Sequence, residues 1–313
     1  MKADAVFEGG GVKGIAFIGA LKVMEEQGYE WEKLAGTSAG SIVAALVSAG
    51  YRSVELYEVF KRMDYFHLLQ RRGLGRIPLV GNLYSLFVHE GMYPSDGIEE
   101  LVDELLRRKG IRTFGDLSEG KLRIIASDIT SGKMLVLPDD LALFGVDPAD
   151  FPISKAVRMS SSIPFFFQPV RIDLQNQPHY VVDGGLLSNY PVWLFDVPGI
   201  PRWPTIGFRL HGKRAQAVET NVDGLFSLTK GLIMTMLDAH DRLYVEKTNA
   251  VRTIFIDSLG VRATQFKLSE EVRDQLFRSG EEAARRFLEM WNFAEYIRSY
   301  RKKEPTIKIK TGC

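Results

Sequence analysis

Residues 3–50 read ADAVFEGGGVKGIAFIGALKVMEEQGYEWEKLAGTSAGSIVAALVSAG, and two glycine-punctuated turns divide them. Residues 3–8 form a short, mostly apolar run that predicts a buried strand, which Gly9, Gly10 and Gly11 break. Residues 12–27 have helical spacing, with Ile15, Ile18 and Leu21 on one face and Gly28 as the stop. A second strand is predicted over residues 31–35 and runs into Gly36-Thr37-Ser38-Ala39-Gly40. The helix after it lacks a polar face, since Ile42, Val43, Ala44, Ala45, Leu46 and Val47 are all apolar, so it should be buried; Gly50 ends it. Strand, turn and helix, twice over, predict α/β layering on a mainly parallel central sheet flanked by helices.

Downstream, helices are expected over 95–109, 225–247 and 270–299, and strands over 122–127, 134–137, 168–173, 180–183, 205–210 and 252–257. Residues 301–313 are basic and should fray. Neither an internal repeat nor a low-complexity linker interrupts the chain. Residues 60–93 fit the layering worst: aromatic Phe60, Tyr65, Phe66, Tyr84 and Phe87 alternate with Lys61, Arg62, Arg71, Arg72 and Arg76, the composition of a cap over a site. The same mixture suits a segment at a lipid interface, or a cap with a solvated basic face.

Forty Lys and Arg balance 39 Asp and Glu to a net charge of +1, so no global field favours nucleic acid, and attraction to anionic lipid has to come from local patches. The one cysteine, Cys313, excludes a disulfide framework and a cysteine metal site, which fits a reducing compartment and equally a cysteine-poor secreted protein. Residues 14–21 are apolar but follow Asp4 and Glu8 and precede no cleavage site, and the uncharged run 34–51 is too polar to span a bilayer. The expectation is a soluble, cytoplasmic protein that meets a membrane only from one side, as a peripheral contact. Oligomeric state leaves no mark on the sequence.

Gly36-Thr37-Ser38-Ala39-Gly40 is a G-x-S-x-G. A nucleophilic serine on a tight strand-to-helix turn adopts a strained backbone, and crowding there requires small neighbours. Gly9-Gly10-Gly11-Val12-Lys13-Gly14 also joins a strand to a helix, and such glycines can turn several N–H groups toward one oxyanion. The same residues satisfy G-x-G-x-x-G, the signature of a dinucleotide-binding protein. That alternative wants an acid at the end of the second strand, whereas Glu30 and Glu32 stand at its start and the serine turn occupies its end. As a base for Ser38, none of His67, His89, His179, His211 and His240 sits in a recognisable loop with a preceding acid. Asp183 emerges from an apolar strand into Gly184-Gly185, either as a site carboxylate or as an ordinary Asp-Gly turn.

Taken together, residues 5–193 resemble the patatin-like phospholipases, through four segments in that family's order: Gly9 to Gly14, Gly36 to Gly40, the Ser- and Pro-containing block 156–170, and Asp183-Gly184-Gly185. The resemblance implies a three-layer α/β fold that cleaves ester bonds of lipids, phospholipid or lysophospholipid foremost. It implies Ser38 as nucleophile and Asp183 as base, a dyad without histidine, working through an acyl-Ser38 intermediate. It also implies an oxyanion hole from the N–H groups of Gly9, Gly10 and Gly11, supported by Gly14, Gly36, Gly40, Gly184 and Gly185, with no metal or cofactor. Burial of Asp183 beside a lipid pocket would raise its pKa and strengthen it as a base. Lys13 and Arg158 are readable either as headgroup contacts or as structural cations. Glu8 departs from the family's usual Asp, and 161–164 match loosely. The implied core covers 1–210, with the cap inserted at 60–93, and 211–313 complete or extend the same domain.

Overall fold

A computed structural model of the chain describes residues 1–63, 91–212, 231, 247–263 and 265–301. Most of the expected cap and of the helix over 225–247 lies outside them. Ten strands are described: β1 (Lys2–Phe7), β2 (Glu30–Thr37), β3 (Gly91–Tyr93), β4 (Leu122–Asp128), β5 (Lys133–Leu137), β6 (Phe165–Phe167), β7 (Val170–Leu174), β8 (Gln177–Asp183), β9 (Thr205–His211) and β10 (Thr253–Asp257). Eight of them form one mixed sheet in the order β10-β9-β1-β2-β4-β8-β7, with β5 also on β4, while β3 and β6 make a separate parallel pair. The pairings β10–β9, β9–β1, β1–β2 and β2–β4 are parallel. By contrast β5, β8 and β7 run antiparallel to their neighbours, so the sheet is mainly parallel, as expected, with its antiparallel part confined to one side.

Six helices matter to the layers: α1 (Ile15–Glu26), α2 (Ala39–Ser48), α3 (Ser53–Arg62), α4 (Asp96–Arg108), α5 (Ile153–Ser161) and α6 (Glu270–Met290). Successive strand residues point to opposite faces. One face presents Ala3, Ala5 and Phe7 of β1, Leu34 of β2 and Phe208 of β9, in a core shared with α1, α2 and α6. Phe7 stacks on Phe208 with ring centroids 4.6 Å apart and also meets Phe17 of α1. The other face carries Val6 and Ala35, covered by Phe195 from the segment joining β8 to β9. That segment is pinned where Trp203 Nε1 donates to Asp4 Oδ1 at 2.8 Å.

Helix α6 lies against α1 so closely that a Cβ on Gly19 would run into the Phe277 carbonyl, and one on Gly280 into that of Ala16. The expected helix over 270–299 breaks at Trp291–Asn292, where Asn292 accepts the Glu295 N–H at 3.0 Å and caps a new turn. No helix among the described residues is long and apolar enough to cross a membrane.

Candidate active site

The register of β4 decides where the site forms. Along one edge β5 pairs with Ile124 to Asp128. A strand has only two edges, so β2, which pairs with Leu122 to Ile125, and β8, which pairs with Ala126 to Asp128, share the other. They approach from opposite directions and end against each other. The residue after β2 is Ser38, and the last residue of β8 is Asp183. A Cβ on Gly184 would collide with the Ile125 carbonyl and crowd the Thr37 methyl, so only glycine lets the two strand ends meet.

Ser38 takes φ 53° and ψ −125°, a region that costs a non-glycine residue about 1–3 kcal/mol. Its neighbours explain how the turn is tolerated. A Cβ at Gly36 would strike the Gly40 carbonyl, and one at Gly40 would sit 2.5 Å from the carbonyl oxygens of Phe7 and Glu8. The turn carries Ser38 Oγ to Asp183 Oδ2, to which it donates at 2.6 Å, and both residues are buried. Asp183 Oδ1 accepts the Gly185 N–H at 2.7 Å. Burial pushes the Asp183 carboxyl up to about 6, partly offset by the bonds from Ser38 and Gly185. Of the histidines, His179 faces Asp128, with Nδ1 2.7 Å from Oδ2, and His211 lies against Phe255; His67, His89 and His240 fall outside the described residues.

The glycine loop lies directly on the serine, since a Cβ at Gly9 would come 3.3 Å from Ser38 Cβ. Its three expected oxyanion donors are not equivalent. Gly9 directs its N–H to the Asn189 carbonyl at 3.0 Å. The N–H groups of Gly10 and Gly11 meet no acceptor among the described residues. Gly11 has φ 57° and backs onto the Ala263 carbonyl, and only glycine suits that place. The Glu8 carboxylate anchors the loop's entry, accepting from Arg209 Nε at 3.1 Å and from the Leu210 N–H at 2.6 Å. Lys13 is buried, and among the described residues its side chain meets neither a carboxylate nor a hydrogen-bond partner. Arg158 instead bonds Ser95 Oγ and Glu99 and pairs with Asp96, which makes it structural.

Two contributors had no separate signal in the sequence. Ser160 Oγ contacts the Ser38 N–H at 2.9 Å, but nothing local distinguishes it from Ser161 and Ser162. Asn189 meets Gly9 through its carbonyl and, at 3.4 Å, its side-chain amide, from 180 residues away.

The family model described as Patatin-like phospholipase matches residues 5–196. The uncharacterized protein YqhO of Bacillus subtilis is 42% identical over 294 residues, covering 94% of this chain and all of YqhO. The probable lipid hydrolase 463L of Invertebrate iridescent virus 6 is 29% identical over 195 residues, 60% of this chain and 61% of that protein. Among solved structures, VipD from Legionella pneumophila has the same fold with a TM-score of 0.56 at 17% identity, over 92% of this chain and 66% of VipD. The chain thus spans somewhat under two thirds of these last two proteins.

Proposed function

The chain belongs to the patatin-like phospholipase family, and from that premise we propose that it is a lipid acyl hydrolase in which Ser38 and Asp183 cleave a carboxylic ester. The observation that carries this reading is the 2.6 Å hydrogen bond from Ser38 Oγ to a buried carboxylate. Ser38 Oγ attacks the acyl carbonyl carbon while its proton passes to Asp183 Oδ2. The N–H groups of Gly10 and Gly11 receive the oxyanion, which the family's glycine loop would otherwise draw from Gly9 as well. Collapse breaks the ester bond, and the leaving alkoxide takes the proton from Asp183. Water, deprotonated by the same carboxylate, then releases the acyl group from Ser38 as a carboxylic acid.

Lys13 supports a substrate that carries an anion, as phospholipids and lysophospholipids do. Lys13 faces no carboxylate among the described residues, and a bound phosphate beside it would supply the counter-charge. The direct test incubates parent and Ser38→Ala protein with phospholipid vesicles and follows fatty acid and lysophospholipid release by mass spectrometry, with fluorophosphonate labelling alongside. The parent should release acyl chains and label at Ser38 alone, and Ser38→Ala should do neither. Hydrolysis that persists in a folded Ser38→Ala protein would overturn the assignment.

A further inference from the structure

A seam between two strand ends has no ladder of its own to keep it in register. At the point where β2 leaves β4 and β8 joins it, the Ile125 carbonyl and the Ser38 N–H are both buried backbone groups that need partners. One side-chain atom serves both. Ser160, fully buried near the end of α5, donates from Oγ to the Ile125 carbonyl at 2.5 Å and accepts the Ser38 N–H at 2.9 Å. Two residues on, the Ser162 carbonyl accepts the Asp183 N–H at 2.9 Å. Ser162 Oγ donates back to the Arg158 carbonyl at 2.8 Å, which fastens this end of the helix to itself. One helix end therefore grips β4, the nucleophile's backbone and the base's backbone.

We propose that Ser160 is a positioning residue for the dyad: its hydroxyl holds the strained Ser38 backbone at the rotation that keeps Ser38 Oγ on Asp183. The proposal rests on the reading of Ser38 and Asp183 as the reacting pair. A hydroxyl suits the task because it accepts and donates at one atom. Alanine would do neither and would leave two buried backbone groups unpaired. Neighbouring Ser161 cannot substitute, because the next helical residue points about 100° away. Its own Oγ is buried and has no hydrogen-bond partner among the described residues.

The test compares Ser160→Ala, Ser160→Thr and Ser160→Cys with the parent on a short soluble ester, with Ser38→Ala as the inactive reference. Thermal melts report folding. A folded Ser160→Ala should lose about 10–100-fold in kcat with KM little changed, the signature of a misaligned nucleophile. Its acidic kcat limb should move to higher pH, since a loosened Ser38 contact removes a bond that lowers the Asp183 pKa. Ser160→Thr, which keeps the hydroxyl, should recover most of kcat. Parent-like kcat and pH limb in folded Ser160→Ala would overturn the proposal, as would a folded threonine variant no better than alanine. If the alanine variant does not fold, the cysteine variant decides: its weakly bonding sulfur should lower kcat and raise the limb, and a parent-like cysteine enzyme would refute the role. Activity in Ser38→Ala would refute the dyad itself, whereas an inactive Ser38→Ala beside an unaffected Ser160→Ala would refute only Ser160.

Discussion

Asp183 has a buried environment in place of a charged partner. A carboxylate in water, with its pKa near 3.9, is a weak base toward a hydroxyl. Desolvation raises Asp183 to about 6, where it gains basicity and still ionises below neutrality. Only the ionised form can take the Ser38 proton, so kcat on a soluble ester should rise through about pH 6 to a plateau. A midpoint near 4 would mean that water reaches Asp183 in the working enzyme. The same shift bears on stability. A folded-state pKa above the unfolded value means that the folded chain holds this proton more tightly, so its stabilising contribution is complete below about pH 4 and lost as pH rises through about 6. Asp183→Asn removes the buried charge, and at pH 7.5 it should melt above the parent by the equivalent of up to about 3 kcal/mol while losing activity. That advantage should vanish at pH 4, as calorimetry at the two pH values would show.

Among the elements, the start of α2 is tightly constrained, because it packs directly against β1 and β2. The Cβ of an alanine at position 40 would fall 2.5 Å from two backbone carbonyls that belong to β1 and the residue after it, and neither can retreat without breaking the sheet. Gly14, in the family's other glycine segment, is under weaker constraint. Its φ of −53° suits any residue, and a Cβ there would meet the edge of the Phe60 ring at 3.3 Å. Gly40→Ala should therefore cost more than about 3 kcal/mol and yield little folded protein, while Gly14→Ala should stay within about 1 kcal/mol of the parent. Denaturant unfolding of the two variants would check the order, and equal losses would show that the motif glycines act through flexibility rather than close approach.

At the scale of the molecule, the family match ends before the fold does. It stops at residue 196, yet β9 pairs directly with β1, β10 pairs with β9, and α6 covers α1 with Leu276, Ala283, Ala284 and Phe287 buried. A chain cut to residues 1–196 would open the edge of β1 and bare the core face of α1. It should show no cooperative thermal transition and no fluorophosphonate labelling. A truncated protein that melted cooperatively would demote β9, β10 and α6 to an appendage.

Much of this protein was legible in its sequence because its constraints are local. The glycines flanking Ser38, the wholly apolar run from Ile42 to Val47, and the alternation of strand and helix across the first fifty residues follow from backbone sterics and hydrophobic period, which act over a few residues. Asp183 was legible as a carboxylate delivered at a strand end, but not the direction from which it arrives. Only pairing with β4 makes β8 antiparallel and sets its end against that of β2. Tertiary structure also decided that Ser160 rather than Ser161 meets Ser38, and that Gly9 gives its N–H to Asn189 while those of Gly10 and Gly11 meet no acceptor among the described residues. These outcomes depend on hydrogen bonds between residues more than a hundred positions apart. Local propensity cannot specify such a bond, because its partner becomes a neighbour only when the sheet has closed.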